Sequence, residues 1–264
     1  MLHAANQSLS YSMNTNSNLI VLDEVDSTNQ FAHELLQNGV RIEEGTAIMS
    51  LFQSAGKGQK GNVWESEPRC NMLATVVLFP EFLEPTNLYL INQAAALSIC
   101  ATLKEYSEFE FKIKWPNDIM FGENKIAGIL IENSIRDKKC TTCIVGAGIN
   151  LNQASFRTYS PRAISLKMIT GKSIDSIQDF TKKWRDVLMD YFELIRRGQD
   201  GKIIDSYSKS LFGLGENREF EFDGIRTNGI IKGVTNTGYL LIQTDNGIRE
   251  FGLKEVRYFF NQEN

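Results

Sequence analysis

The 264-residue sequence predicts an α+β fold: a mixed β-sheet domain carrying helices, followed by a small all-β domain. Three observations predict it. Strand-like apolar runs are interspersed with helical patterns as far as about Phe212. Beyond that point the texture changes to short alternating runs separated by turn dipeptides. Hydrophobic residues make up 42% and aromatics 10%, enough apolar surface for a real core. Residues 1–18 read as a disordered lead-in, 19–212 as the larger domain and 213–264 as the small one.

The elements follow in order. Leu19 to Leu22 is a short apolar run. In the next stretch Asp26, Ser27 or Thr28 can cap a helix whose Phe31/Leu35 and Ala32/Leu36 pairs share a face, with Gly39 as the stop. "TAIMSLFQ" reads as a strand running into a glycine-rich loop, and "NMLATVVLF" as another closed by Pro80. "NLYLINQAAALSICATLKEYS" has the composition and length of a helix. "FKIKW" alternates as a strand that Pro116 breaks, and "DIMFGENKIAGILIE" reads as a hairpin turning at Gly122. "IVGAGINL" is the next strand. Ile177, Phe180, Trp184, Val187, Leu188, Tyr191, Leu194 and Ile195 trace one face of a long amphipathic helix. In the small domain, Asp223-Gly224, Asn228-Gly229, Thr237-Gly238 and Asn246-Gly247 read as turns of a β-barrel.

Composition narrows the function classes. Twenty-eight basic against 32 acidic residues, net −4, argue against nucleic acid as a partner. No apolar run reaches the roughly 18 residues of a spanning helix, and the N-terminus lacks a signal-peptide pattern. A cytoplasmic enzyme is therefore expected, with no membrane partner. Cys140 and Cys143 form C-T-T-C, but with two histidines in the chain there is no second ligand pair for zinc. The expectation is two reduced thiols in or beside a strand.

The stretch "QSAGKGQKGNVW", Gln53 to Trp64, matches G-x-G-x-x-G through Gly56, Gly58 and Gly61. A dinucleotide fingerprint needs a helix after the glycines, and here "NVWESEPRC" and another strand follow. No G-K-[ST] closes a Walker loop. Two readings remain. Glycine backbone amides with Lys57 and Lys60 make a cradle for an anionic ligand beside Trp64, or the loop is a polar surface segment with incidental lysines.

Further motifs bear on that choice. "DSTNQ" precedes the loop; "KWPND" (Lys114 to Asp118), "KIAGILIE" (Lys125 to Glu132), "GAGIN" (Gly146 to Asn150) and "AISL" (Ala163 to Leu166) follow it. In this order the set strongly resembles the biotin–protein ligases, over about Leu19 to the C-terminus, in the form without an N-terminal helix-turn-helix domain. The resemblance implies a biotin/lipoate-ligase-type mixed-sheet catalytic domain and an SH3-like C-terminal domain. It implies ATP and biotin as substrates, Mg2+ held mainly by ATP phosphates with no certain protein ligand, and a biotin carboxyl carrier domain as partner. Whether the chain is a monomer or a homodimer stays open.

The implied roles fall on named positions. Lys125 matches the lysine that neutralises the biotin carboxylate and the α-phosphate, although alone it could merely solvate a hairpin turn. Ser27, Thr28 and Asn29 line the biotin ureido end, and Gln53 hydrogen-bonds the ring. Gly128 is small so that ligand can approach the strand. Trp64 packs near the ligand or simply in the core. Gly56, Lys57, Gly58, Gln59, Lys60 and Gly61 form the cradle and a lid over biotinyl-AMP, with Lys57, Lys60, Asn117 and Asn150 on the nucleotide side. Asp118 either orients or deprotonates the incoming lysine, or holds the KWPND turn. Lys57, Gln59 and Asn62 stand where arginine is frequent in the family, which implies looser retention of the intermediate. The rivals are a lipoate or octanoate ligase or transferase of the same fold, and a non-catalytic biotin sensor.

Overall fold

The computed structural model describes residues 12–14, 18–157 and 161–260. Eight strands build the larger sheet: β1 (Ser12–Asn14), β2 (Leu19–Leu22), β3 (Ala47–Ser50), β4 (Met72–Leu78), β5 (Lys112–Lys114), β6 (Asp118–Phe121), β7 (Asn124–Arg136) and β8 (Lys139–Ile149). Their order is β1-β2-β3-β4-β8-β7-β6-β5. Among the described strands only β2 and β3 pair in parallel, and a parallel pair needs a crossover; helix α1 (Thr28–Gln37) supplies it. The other helices are α2 (Tyr89–Glu105), α3 (Leu166–Thr170), α4 (Ile177–Arg196) and α5 (Asp200–Lys209). None of the described helices is long and apolar enough to cross a membrane.

The period-2 alternation of strands sorts the two faces. Met72, Ala74, Val76 and Leu78 of β4 join the main core, with α2 and the Phe180, Trp184, Leu188 and Phe192 face of α4. Val77 turns the other way, into a smaller cluster with Phe31 and Ala32 of α1. The same alternation runs through β7 and β8: Ala127, Ile129, Ala147 and Ile149 enter the main core. Gly128, Gly146 and Gly148 therefore face the α1 side, where they leave room for side chains from elsewhere in the chain, Trp64 and Asn29.

The smaller sheet holds β9 (Asn217–Phe222), β10 (Ile225–Val234), β11 (Leu240–Thr244), β12 (Gly247–Phe251) and β13 (Arg257–Tyr258). It is antiparallel, in the order β12-β11-β10-β9-β13. Its core of Phe220, Phe222, Ile231, Leu240, Ile242 and Phe251 also takes in Trp115 and Met120 of the larger domain. Trp115 Nε1 donates to Gly238 O at 2.9 Å, tying the KWPND segment to the small domain. The expected α+β class, a mixed-sheet domain plus a small antiparallel one, is what the chain adopts.

Two expectations need correction, and two helices went unforeseen. Ser12–Asn14, inside the stretch read as a lead-in, pair antiparallel with β2; residues 1–11 and 15–17 lie outside the described residues. Asn228-Gly229 is no turn but lies within β10, opposite Glu219 and Arg218. Glycine is needed there for packing: a Cβ on Gly229 would lie 2.5 Å from Ile242 Cγ2. Finally, α3 and α5 were not legible as helices. The first is five residues between a Ser165 cap and Gly171, and the second buries only Ile203 and Tyr207. Cys140 and Cys143 lie in β8 with buried side chains, the location expected, and burial pushes both thiols up.

Candidate active site

Gly128 and Gly148 pair directly across β7 and β8. The Trp64 indole lies over both: a Cβ on Gly128 would meet Trp64 Cζ3 at 2.9 Å, and one on Gly148 would fall inside contact distance of the ring. The space above Gly128 thus holds an aromatic ring. Around this floor opens a cavity of about 340 Å³, a size suited to a small ligand. Ser27, Thr28, Asn29, Gln53, Lys57, Gly58, Gln59, Trp64, Asn117, Asp118, Lys125 and Gly128 all line it. The structure therefore gathers most of the sequence-predicted set into one place.

The start of α1 closes one side. Ser27 takes the N-cap position but makes no side-chain cap bond. Gln53 does the capping instead: its Oε1 accepts from Thr28 N at 2.8 Å and from Thr28 Oγ1 at 3.1 Å. Asn29 Nδ2 donates to Leu130 O at 3.2 Å and to Glu132 Oε2 at 2.7 Å. Thr75 Oγ1 of β4 lies 2.7 Å from both Asn29 Oδ1 and Thr28 Oγ1. An amide oxygen can only accept, so Asn29 Oδ1 takes its proton from Thr75, whose hydroxyl also faces Thr28 Oγ1, while Thr28 Oγ1 donates to Gln53 Oε1. Gly146 lies beneath Asn29, where any Cβ would collide with the amide. The result is a rigid polar end wall.

The opposite side is charged. Asp118 Oδ1 lies 2.6 Å from Lys125 Nζ and Oδ2 lies 2.9 Å from Lys114 Nζ. Burial alone would push the Asp118 carboxyl up, but Lys114 and Lys125 outweigh it and hold the carboxyl below its usual value. Asp118 is thus an ionised hub rather than a turn cap. Lys125 Nζ also sits 5.4 Å from the Trp64 ring centroid. Asn117 braces the segment, its Nδ2 donating to Ile129 O at 2.8 Å.

The glycine loop is a tight hairpin. Trp64 N donates to Gly56 O at 2.9 Å and Gly58 N to Asn62 O at 2.7 Å, while Gln59–Gly61 form a 3-10 turn with Gly61 at φ +89°. A Cβ on Gly56 would lie 2.9 Å from Trp64 O, so glycine lets the two arms close. Lys57 is exposed at the cavity edge. The backbone of Lys60 sits in the 3-10 turn, and its side chain lies outside the described residues. Gly56 and Gly61 do not line the cavity; they shape the loop.

Asn150 is set apart from the other predicted residues. It lines a second cavity of about 350 Å³, which meets the first at Asn62, Val63, Trp64 and Lys125. Its Nδ2 donates to Ile164 O at 3.1 Å, while its buried Oδ1 has no partner among the described residues, and nor does Trp64 Nε1. Buried polar atoms are nearly always satisfied, so two such atoms beside one cavity mark where a ligand's polar edge would sit.

Sequence reasoning missed several residues. Thr75 could have been found as the one polar residue in a wholly buried apolar strand. Lys114 sat inside a recognised motif without a role. Leu253, Lys254 and Val256, which line the main cavity from the small domain, carried no local signal. Among the described residues no group of three or more His, Cys, Asp or Glu side chains could hold a metal ion.

Comparison with known proteins matches the chain in both sequence and fold. Residues 21–150 match the biotin/lipoate A/B protein ligase family and residues 219–252 the biotin protein ligase C terminal domain. The chain is 31% identical over 243 residues to the bifunctional ligase/repressor BirA of Bacillus subtilis, covering 88% of this chain and 71% of that protein. It is 27% identical over 252 residues to the biotin–[acetyl-CoA-carboxylase] ligase of Paracoccus denitrificans, covering 89% and 98%. Biotin protein ligase from Aquifex aeolicus, solved in complex with biotin and ATP, shares its fold with a TM-score of 0.77. That match is 30% identical and covers 92% of this chain and 99% of the other.

Proposed function

The chain belongs to the biotin protein ligase family, and from that premise we propose how its residues divide the work. It is an ATP-dependent ligase that activates biotin and transfers it to a carboxylase. The observation that carries the residue assignment is Asp118 shared between Lys114 and Lys125 at one side of a glycine-floored cavity.

In the first step a biotin carboxylate oxygen attacks the α-phosphorus of ATP, the phosphoanhydride bond breaks, and pyrophosphate leaves. Two anions about 4 Å apart repel by roughly 4 kcal/mol at a surface-like dielectric, so a fixed cation between them lowers the barrier. Lys125 is that cation. The ureido head lies toward Ser27, Thr28 and Gln53, whose Nε2 makes no hydrogen bond to the described residues. The adenine side faces the second cavity, where Asn150 Oδ1 accepts from the base. The hairpin 56–64 with Lys57 and Lys60 cradles the phosphates and shields the mixed anhydride from water.

In the second step a neutral amine of a carrier lysine attacks the biotinyl carbonyl, the C–O bond to phosphate breaks, AMP leaves, and the amine proton passes to the departing phosphate or to water. Asp118, with its lowered pKa, is a weak base; its role is to orient charge rather than to take the amine proton. The cavity offers lysines, amides and one carboxylate already shared by two cations. That donor set fits magnesium carried in on the nucleotide, held by phosphate oxygens and water, where it would help neutralise the phosphates. The carrier is a biotin carboxyl carrier domain. The charge balance of −4 supports a protein rather than a nucleic-acid partner, and a cytoplasmic site of action is part of the same reading.

The test is biotin-dependent exchange of labelled pyrophosphate into ATP, with lipoate and octanoate in parallel. Exchange with biotin alone is expected, and Lys125→Ala should reduce it by about 10²–10³-fold. Exchange with lipoate instead would transfer the protein to the sister activity. Biotin binding without any exchange would make it a sensor.

A further inference from the structure

Lys114 is the more enclosed of the two lysines on Asp118, with 12% of its side chain exposed against 28% for Lys125. An ammonium this short of water needs compensation beyond half of one carboxylate. It finds it in the small domain. Lys114 Nζ lies 5.0 Å from the ring centroid of Tyr258, on β13. The Tyr258 ring is fixed by packing: it pairs with Phe220 of β9 and meets that ring edge-on at 5.2 Å. Its buried hydroxyl has no partner among the described residues, so a hydrogen bond does not explain its placement. Trp115, the neighbour of Lys114, is locked into the same core.

We propose that Tyr258 is a positioning residue for adenylation: its ring face holds Lys114 on Asp118, and the sharing of Asp118 leaves Lys125 in positive surplus. The inference rests on the adenylation reading above. Two ammonium groups on one carboxylate leave a charge of +1 beside the cavity. Were Lys114 to swing out to water, Asp118 would pair with Lys125 alone. The local charge would fall to zero, just where two anionic substrates must meet. The small domain thereby acts on chemistry it does not itself perform.

The test is a mutant cycle read by biotin-dependent pyrophosphate exchange, with the melting temperature followed in parallel. Tyr258→Phe keeps the ring face and should stay within about twofold of wild type, whereas Tyr258→Leu should lower kcat/KM for ATP about tenfold. In a Lys114→Met background, Tyr258→Leu should add less than about twofold, because its effect runs through Lys114. Independent, multiplying effects would overturn the proposal, as would a neutral Tyr258→Leu.

Should Tyr258→Leu not fold, Tyr258→Phe carrying one to three ring fluorines keeps the shape while weakening the ring face. Activity falling stepwise with fluorine number supports the role, and a flat series overturns it. A wild-type protein silent in exchange would overturn the functional reading itself. Wild-type exchange with a flat series overturns only the role of Tyr258.

Discussion

Gly128 and Gly148 stand opposite each other in the β7–β8 register, and the Trp64 indole lies across both. Two adjacent strands thus expose bare backbone on one face while Ala127, Ile129, Ala147 and Ile149 fill the core on the other. Gly148→Ala would put a methyl into the ring. Overpacking of this kind costs about 1–3 kcal/mol, and here Trp64 and its loop can yield. The expected outcome is a KM for ATP or biotin raised about tenfold or more, with a small fall in melting temperature. Unchanged exchange kinetics would show that Trp64 does not set the ligand's position.

Asp118 carries a prediction about pH. Its pKa is lowered in the folded chain, so its stabilising effect is complete above the ordinary carboxylate range and is lost as pH falls through the folded value. The stability gap between wild type and Asp118→Asn should therefore be constant from about pH 5 to 8 and shrink below about pH 4. Chemical denaturation across that range measures it. A gap that changes near neutrality would mean that Asp118 titrates there and is available as a base.

Thr75→Val removes one hydroxyl and little volume. It leaves Asn29 Oδ1, a buried acceptor, without the proton it now receives at 2.7 Å. The cost should be about 1–3 kcal/mol, divided between stability and a raised KM for biotin. Thr75→Ser should restore both. Failure of serine to rescue would show that packing, not the hydrogen bond, is what Thr75 supplies.

Gln59 lines the cavity from the 3-10 turn of the loop. A neutral amide cannot clamp phosphate as a guanidinium does. Gln59→Arg should slow release of biotinyl-AMP by about tenfold, read as the off-rate of the preformed intermediate. An unchanged off-rate would place retention elsewhere in the loop.

Much of the site was legible because its motifs are local. The hairpin at Gly122, the strand before the glycine loop and the long face of α4 follow from periodicity and turn chemistry that act over a few residues. Asn228-Gly229 misled for the same reason: the dipeptide is a strong turn signal, and only the closeness of Ile242 shows that this glycine makes room for packing. The α5 helix escaped because two buried side chains in ten residues make too faint a stripe.

Residue types and their order along the chain determined the fold class, the glycine loop and the lysine and carboxylate of the site, since these depend on local propensity and motif spacing. The tertiary structure alone decided which partners they meet. Gly128 meets Gly148 through strand register, Thr75 meets Asn29 across 46 positions, and Lys114 meets Tyr258 across a domain boundary. Such contacts join residues distant in sequence. They arise when burial of two apolar faces brings the elements together, and no local pattern records them.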